Sequence, residues 1–182
     1  MISFITMVDG YVLQSLYALR DPSAVTAFIW VSTLADAITI GGLALALTLW
    51  LVLRRKFALA QGVVLSVVAS AIAAELFKVI FARARPPMSF WAYTETGYSF
   101  PSAHATLAMA FYGFLAFMIW QSDLKPVWRR AAVAVAVAVI LLIGFSRLYL
   151  GVHYLSDVLG GYVLGAVCLW LAIKTTTMLR SR

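Results

Sequence analysis

Residues 131–146, AAVAVAVAVILLIGFS, carry no charged side chain and fill most of a run near 128–146; four other stretches, near 27–53, 57–81, 102–120 and 154–173, are almost as apolar. A bilayer core needs roughly 20 mostly apolar residues per helix, so the pattern predicts about five transmembrane helices. The Ala–Val alternation at 131–139 has the period of a strand, but it lies within a longer charge-free run that has no turn signals. A barrel would instead use strands of about 10 residues separated by turns. The chain is 64% hydrophobic and 12% charged, with a mean hydropathy of +0.96. Ordinary soluble domains are roughly 45–50% apolar and about 25% charged. This excludes a soluble globular protein, a disordered chain and a small disulfide scaffold. At 182 residues, a single membrane-embedded domain over 1–182 is expected.

Residues 1–20 are less apolar. Ile2, Phe4, Ile5, Val8, Val12, Leu16 and Leu19 are interrupted along one side by Ser3, Thr6, Asp9, Gly10 and Gln14. This pattern predicts an amphipathic helix lying in the interface, and the alternative is a sixth span. No signal peptide is expected, since the start lacks a basic region and a small-residue cleavage site. The lone Cys168 sits in an apolar run and makes no internal disulfide. Small residues (Gly62, Ser66, Ala69, Ser70, Ala73 and Ala74, then Gly161 and Gly165) predict close helix packing within one bundle.

The net charge is +7, which on a soluble chain would invite a nucleic-acid reading. Here the basic residues follow the loops. Arg54, Arg55, Lys56, Lys125, Arg129, Arg130, Lys174, Arg180 and Arg182 fall on one face with Asp123 the sole acid, against Arg20, Lys78, Arg83, Arg85 and Arg147 on the other. The positive-inside rule puts the first face in the cytoplasm. A multi-pass protein of the cytoplasmic membrane is expected, with its N-terminus outside. No nucleic acid and no obligate protein partner are indicated.

The five-span topology brings three polar groups to the outer face. Lys78 and Arg85-Pro86 end the second span, Pro101-Ser102-Ala103-His104 opens the third, and Ser146-Arg147 closes the fourth, ahead of His153 and Asp157. Each residue has a plain local explanation. Lys78 could pair with Glu75 one turn earlier, Arg83 could contact a headgroup, and the aromatic loop 86–100 could form an interfacial belt. None explains why both histidines and three long cations meet. Arg matches phosphate oxygens with a planar fork, and a helix N-terminus beside Ser102 favours anions. His153 and Asp157, four apart, share a helix face. A carboxylate on one imidazole nitrogen fixes the tautomer and frees the other. The constellation suits phosphoryl transfer, with a non-catalytic phospholipid-binding or transport protein as the rival reading.

These motifs resemble the type 2 phosphatidic acid phosphatase family, the lipid phosphate phosphatases related to vanadium haloperoxidases. The family pattern of Lys, six residues, Arg-Pro is met by Lys78…Arg85-Pro86. Pro-Ser-Gly-His is met by Pro101-Ser102-Ala103-His104, with Ala103 in place of Gly. Ser-Arg, five residues, His, three residues, Asp is met by Ser146-Arg147…His153…Asp157. The motifs cover residues 78–157, and a further N-terminal span found in some bacterial members is expected to be lacking. The resemblance implies a metal-independent and cofactor-free phosphatase. His153 would be the nucleophile forming a phosphohistidine, Asp157 its orienting partner and His104 the acid. Lys78, Arg85, Ser102, Ala103 and Arg147 would hold the phosphate. The implied partners are membrane lipids and a lipid phosphate or diphosphate substrate. Undecaprenyl diphosphate leads, and phosphatidylglycerophosphate, phosphatidic acid and lipid A phosphates are the alternatives.

Overall fold

The computed structural model describes residues 2–181, with side chains from residue 4 onward. The side chains of Ile2, from the apolar positions of the N-terminal segment, and of Ser3, from its polar stripe, and Arg182 of the basic face lie outside the described residues. Among the described residues the regular elements are all helices: α1 Ile2–Ala18, α2 Pro22–Thr33, α3 Ala37–Leu53, α4 Phe57–Phe81, α5 Ala103–Trp120, α6 Pro126–Tyr149 and α7 Leu155–Arg180, with a short 3-10 turn at Met88–Phe90 in the long loop between α4 and α5. Helices α4, α5, α6 and α7 are each long and apolar enough to cross a membrane, and α2 with α3 makes a fifth if counted as one broken span. The protein is thus a multi-pass helical membrane protein. The fold follows the expected bundle.

The expected continuous span at 27–53 is instead broken, with α2 and α3 meeting at an angle of 41°. The cause is Asp36, a lone charge in an apolar run. It takes the extended N-cap conformation ahead of α3, and its side chain makes no capping hydrogen bond. It is used elsewhere, as described below. Two other helix starts show ordinary helix-start chemistry. The Asp21 side chain accepts from the Ser23 N–H at 2.8 Å, with Pro22 in the first turn, and Pro126 opens α6.

Polarity is inverted relative to a soluble protein. Large apolar side chains such as Ile38, Val79, Ile80 and Val163 point outward, while Ser66, Ser70, Thr106 and Thr176 are fully buried. Three of these hydroxyls donate to helix carbonyls, Ser66 to Ala110 (2.9 Å), Thr106 to Ser102 (2.9 Å) and Thr176 to Ala172 (2.8 Å). Helix α1, 17 residues long, is not among the candidate spans. Its polar stripe is not turned to water as a unit. Asp9 is buried against the bundle, whereas Phe4, Met7 and Tyr11 are exposed.

The central helix α5 packs against α4, α6 and α7. Its contact with α7 depends on glycine. A Cβ on Gly161 would fall 2.6 Å from the Ser102 carbonyl oxygen, and one on Gly165 would fall 2.5 Å from that of Thr106. The small residues therefore pack helices within one chain, as expected. Arg55, Lys56, Asp123 and Arg180 line one pocket at the basic end of the bundle. The motif residues gather at the other end of α4.

Candidate active site

Three helix ends and two loops meet around a cavity of about 380 Å³. Lys78, Arg85, Ala103, His104, Arg147 and His153 all line it, together with Glu75 and Glu95. Six of the eight site residues expected from sequence are thus brought to one space. The other two, Ser102 and Asp157, are fully buried and are not among the lining residues.

Arg147 is buried at the end of α6, an expensive position for a charge unless it is paired. Its Nη1 donates to Ser32 Oγ at 2.6 Å and to the Tyr93 hydroxyl, and its Nη2 donates to Glu95 Oε2. Tyr93 donates in turn to Glu95 at 3.1 Å. Burial pushes the Glu95 pKa up, but Arg147 and then Arg85 outweigh it and bring the value down to about 2. Arg85 is held by backbone carbonyls at Gly97 (3.0 Å), Thr96 (2.7 Å) and Val152 (3.0 Å). Lys78 faces the cavity and also pairs with Glu75 at 2.8 Å. The local ion pair and the convergent site therefore coexist.

His153 lies in the turn between α6 and α7, with its side chain 2% exposed. Arg85 Nη1 stands 3.3 Å from His153 Nε2. Guanidinium only donates, so Nε2 is an unprotonated acceptor and Nδ1 carries the proton. Nδ1 lies 3.5 Å from Asp157 Oδ2, longer than a hydrogen bond. Burial is the main cause of a depressed His153 pKa. The Arg147 and Arg85 charges add to it, Asp157 opposes it, and the value falls to about 3. The imidazole is neutral at pH 7, with its Nε2 lone pair beside the cations.

Asp157 is fixed on both oxygens. Oδ1 accepts from Arg83 Nη1 at 2.5 Å, while Oδ2 accepts from Ser99 Oγ and from the Tyr154 N–H at 2.8 Å. The last bond closes the first turn of α7 as half of a capping box. The Ser102 N–H donates to the Asp157 carbonyl at 3.0 Å, which locks the start of α5 to that turn. Ser102 Oγ accepts from the Ala105 N–H at 3.4 Å, so it caps α5. His104, two residues on, directs Nε2 at Asp36 Oδ1, 2.6 Å away. An ionised carboxylate only accepts, so Nε2–H is the donor. Each histidine thus has its own carboxylate.

Residues 59–181 match the sequence model of the PAP2 superfamily. The chain belongs to that superfamily. Among its curated relatives, Bacillus subtilis phosphatidylglycerophosphatase B is 36% identical over 78 residues, covering 42% of this chain and 38% of the relative. Sulfolobus acidocaldarius undecaprenyl-diphosphatase is 27% identical over 131 residues, 69% of this chain and 59% of the relative. Rhizobium johnstonii lipid A 1-phosphatase is 33% identical over 119 residues, 60% and 43% respectively. The chain therefore spans less than two thirds of each relative's length. The fold is similar to that of a transmembrane PAP2 type phosphatidylglycerolphosphate phosphatase from Bacillus subtilis, with a TM-score of 0.85 and 23% identity over 93% of this chain and 85% of that one. It is also similar to Aquifex aeolicus LpxE, with a TM-score of 0.72 and 20% identity over 91% and 94%.

Much of this PAP2 site's surround was missed from sequence. Arg83, expected at a headgroup, instead turns inward to Asp157, Ser156 and Asp9. Its position is set by Ala82, whose φ of 43° ends α4 in the left-handed region and turns the chain sharply. The loop aromatics do not form a simple interfacial belt. Tyr93 binds Arg147, Trp91 donates to the Pro86 carbonyl at 2.8 Å, and Phe100 packs edge-on against Phe81. Asp9, Ser32 and Asp36 come from the segment before the PAP2 match, and each contacts a site residue or its partner. One signal was available: Asp9 and Asp36 are lone acids in apolar stretches, where ionisable groups are costly and functional.

Proposed function

We propose that the protein is an integral membrane phosphatase that hydrolyses a lipid phosphate or diphosphate through a phosphohistidine, without a metal. One observation carries the reading. Two histidines, each beside a carboxylate, share a single cavity with Lys78, Arg85 and Arg147. A protein that only bound phospholipid would have no use for the histidine–carboxylate pairs.

In this reading the phosphoryl group enters among Lys78, Arg85, Arg147 and the first N–H groups of α5 near Ala103, which have no helical partner. It takes over the contact that Glu95 now makes with Arg147. His153 Nε2 attacks phosphorus, and the bond to the leaving oxygen breaks as His104 gives that oxygen a proton. Asp157 stabilises the imidazolium character that develops at Nδ1. Water then attacks the phosphohistidine, His104 takes its proton, and inorganic phosphate leaves. The cations stand where charge grows on the phosphoryl oxygens, the arrangement that most lowers such barriers. Ser102 supports the phosphate site by capping α5.

The site lies at the end of the bundle opposite the basic loops, so we place it on the outer face of the cytoplasmic membrane. This suits a carrier lipid dephosphorylated outside, with undecaprenyl diphosphate as the leading substrate and phosphatidylglycerophosphate, phosphatidic acid and lipid A phosphates behind it. The test is phosphate release from each lipid in detergent and EDTA by the purified protein. Release is expected from at least one, with His104→Gln slower by about 10²–10⁴-fold. No release from any lipid would favour a binding protein, and loss of activity in EDTA would contradict the metal-free course.

A further inference from the structure

Asp9 is 2% exposed on α1, outside the segment that matches the PAP2 superfamily. Its Oδ2 accepts from Arg83 Nη2 at 2.8 Å and from Ser156 Oγ at 2.5 Å, and its Oδ1 accepts from the Ser156 N–H at 2.9 Å. Arg83 carries the connection onward. Nη1 donates to Asp157 Oδ1 at 2.5 Å and to Ser156 Oγ at 2.7 Å, and the guanidinium lies 4.4 Å over the Tyr154 ring. A hydrogen-bonded line of alternating charge runs from Asp9 through Arg83 to Asp157, whose Oδ2 stands 3.5 Å from His153 Nδ1.

We propose that Arg83, anchored by Asp9, is a positioning residue for the hydrolysis, holding Asp157 against His153 and sharing its charge. The inference rests on the phosphatase reading above. With Oδ1 pinned by Arg83, the Asp157 carboxylate cannot rotate away from Nδ1. Without Arg83, the full charge of Asp157 would fall on His153 and draw a proton onto it. Asp9, itself buried, offsets the charge of the half-buried Arg83, so the arginine does not strip Asp157 of its anionic character. The charges acting directly on His153 are Asp157 from α7, Arg85 from the loop after α4 and Arg147 from α6. Arg83 and Asp9 reach it only through Asp157, and Lys78, Glu75, Glu95 and His104 face it across the cavity.

The competing explanation is that Arg83 merely clips α1 to the bundle. The two are separated with the full chain in detergent, phosphatidic acid micelles, EDTA, and phosphate release followed from pH 4 to 9. The double variant Asp9→Asn with Arg83→Gln removes both charges together, so the buried Asp9 charge is not left without its partner. Thermal unfolding checks that it is folded. It is expected to lose up to about 100-fold in kcat, the scale of a misplaced reacting group. The acid limb of its kcat/KM profile is expected to move up toward pH 6.5. Arg83→Lys keeps the charge but loses the fork, so its kcat is expected to fall with the acid limb unmoved. A folded double variant with the wild-type rate and profile, or Arg83→Lys at the wild-type kcat, overturns the proposal. If the double variant does not fold, Arg83→Lys decides. A wild-type protein inactive on every lipid phosphate would instead sink the phosphatase reading, and this inference with it.

Discussion

Glu95 is the only acid between residues 82 and 102, and its carboxylate sits against Arg147 inside the cavity. On the proposed reading it holds the place of a phosphoryl oxygen and must yield it. Glu95→Gln is therefore expected to tighten inhibition by inorganic phosphate, by about tenfold if roughly 1.4 kcal/mol of competition is removed. Weaker inhibition would mean that Glu95 serves to aim Arg147. This acid had no motif to announce it, whereas Lys78, Arg85, His104, Arg147 and His153 were legible from spacing and topology together. Arg83 was misread because a lone Arg just past a helix end ordinarily meets headgroups. Only the left-handed turn at Ala82 and the distant Asp9 bring it inward; the turn leaves no mark in the local sequence, and a lone acid such as Asp9 signals a role without naming its partner.

The helices themselves were legible from hydropathy, since four of the five apolar runs of bilayer length became single helices and the fifth became two. The break before Asp36 was not, because apolarity alone cannot tell one long helix from two joined at a polar residue that serves another helix. Packing between elements sets the site's width. Gly161 lets α7 approach the Ser102 carbonyl, so Gly161→Ala would place a methyl 2.6 Å from backbone. That substitution is expected to cost about 1–3 kcal/mol and to lower activity by moving the start of α5. Gly41→Ala and Gly42→Ala meet no atom within 4 Å and are expected to leave the thermal midpoint unchanged or raised. A similar loss at all three positions would show that the α5–α7 contact has no special weight.

The whole bundle turns apolar side chains outward and encloses a charged cluster at one end, so its stability is tied to pH. His153 is held at about 3 in the fold against an ordinary value of 6.5. Below pH 6.5 the unfolded chain takes up a proton that the native state refuses, so stability falls as the pH drops through that window. The limiting slope is about 1.4 kcal/mol per pH unit. Glu95, lowered to about 2 from 4.5, adds stability above pH 4.5 that is lost as the pH falls toward 2. Thermal unfolding from pH 7 to 4.5 is expected to show this decline, flattened in His153→Gln; an unchanged decline in that variant would place its origin elsewhere. The account stands most directly on the covalent step. Rapid quenching of the protein with a lipid phosphate labelled on phosphorus should trap label on the chain in an acid-labile, alkali-stable form. Wild-type protein is expected to carry it at His153, and His153→Gln to carry none. Phosphate released at the wild-type rate by His153→Gln, or label attached at any other residue, would contradict the account.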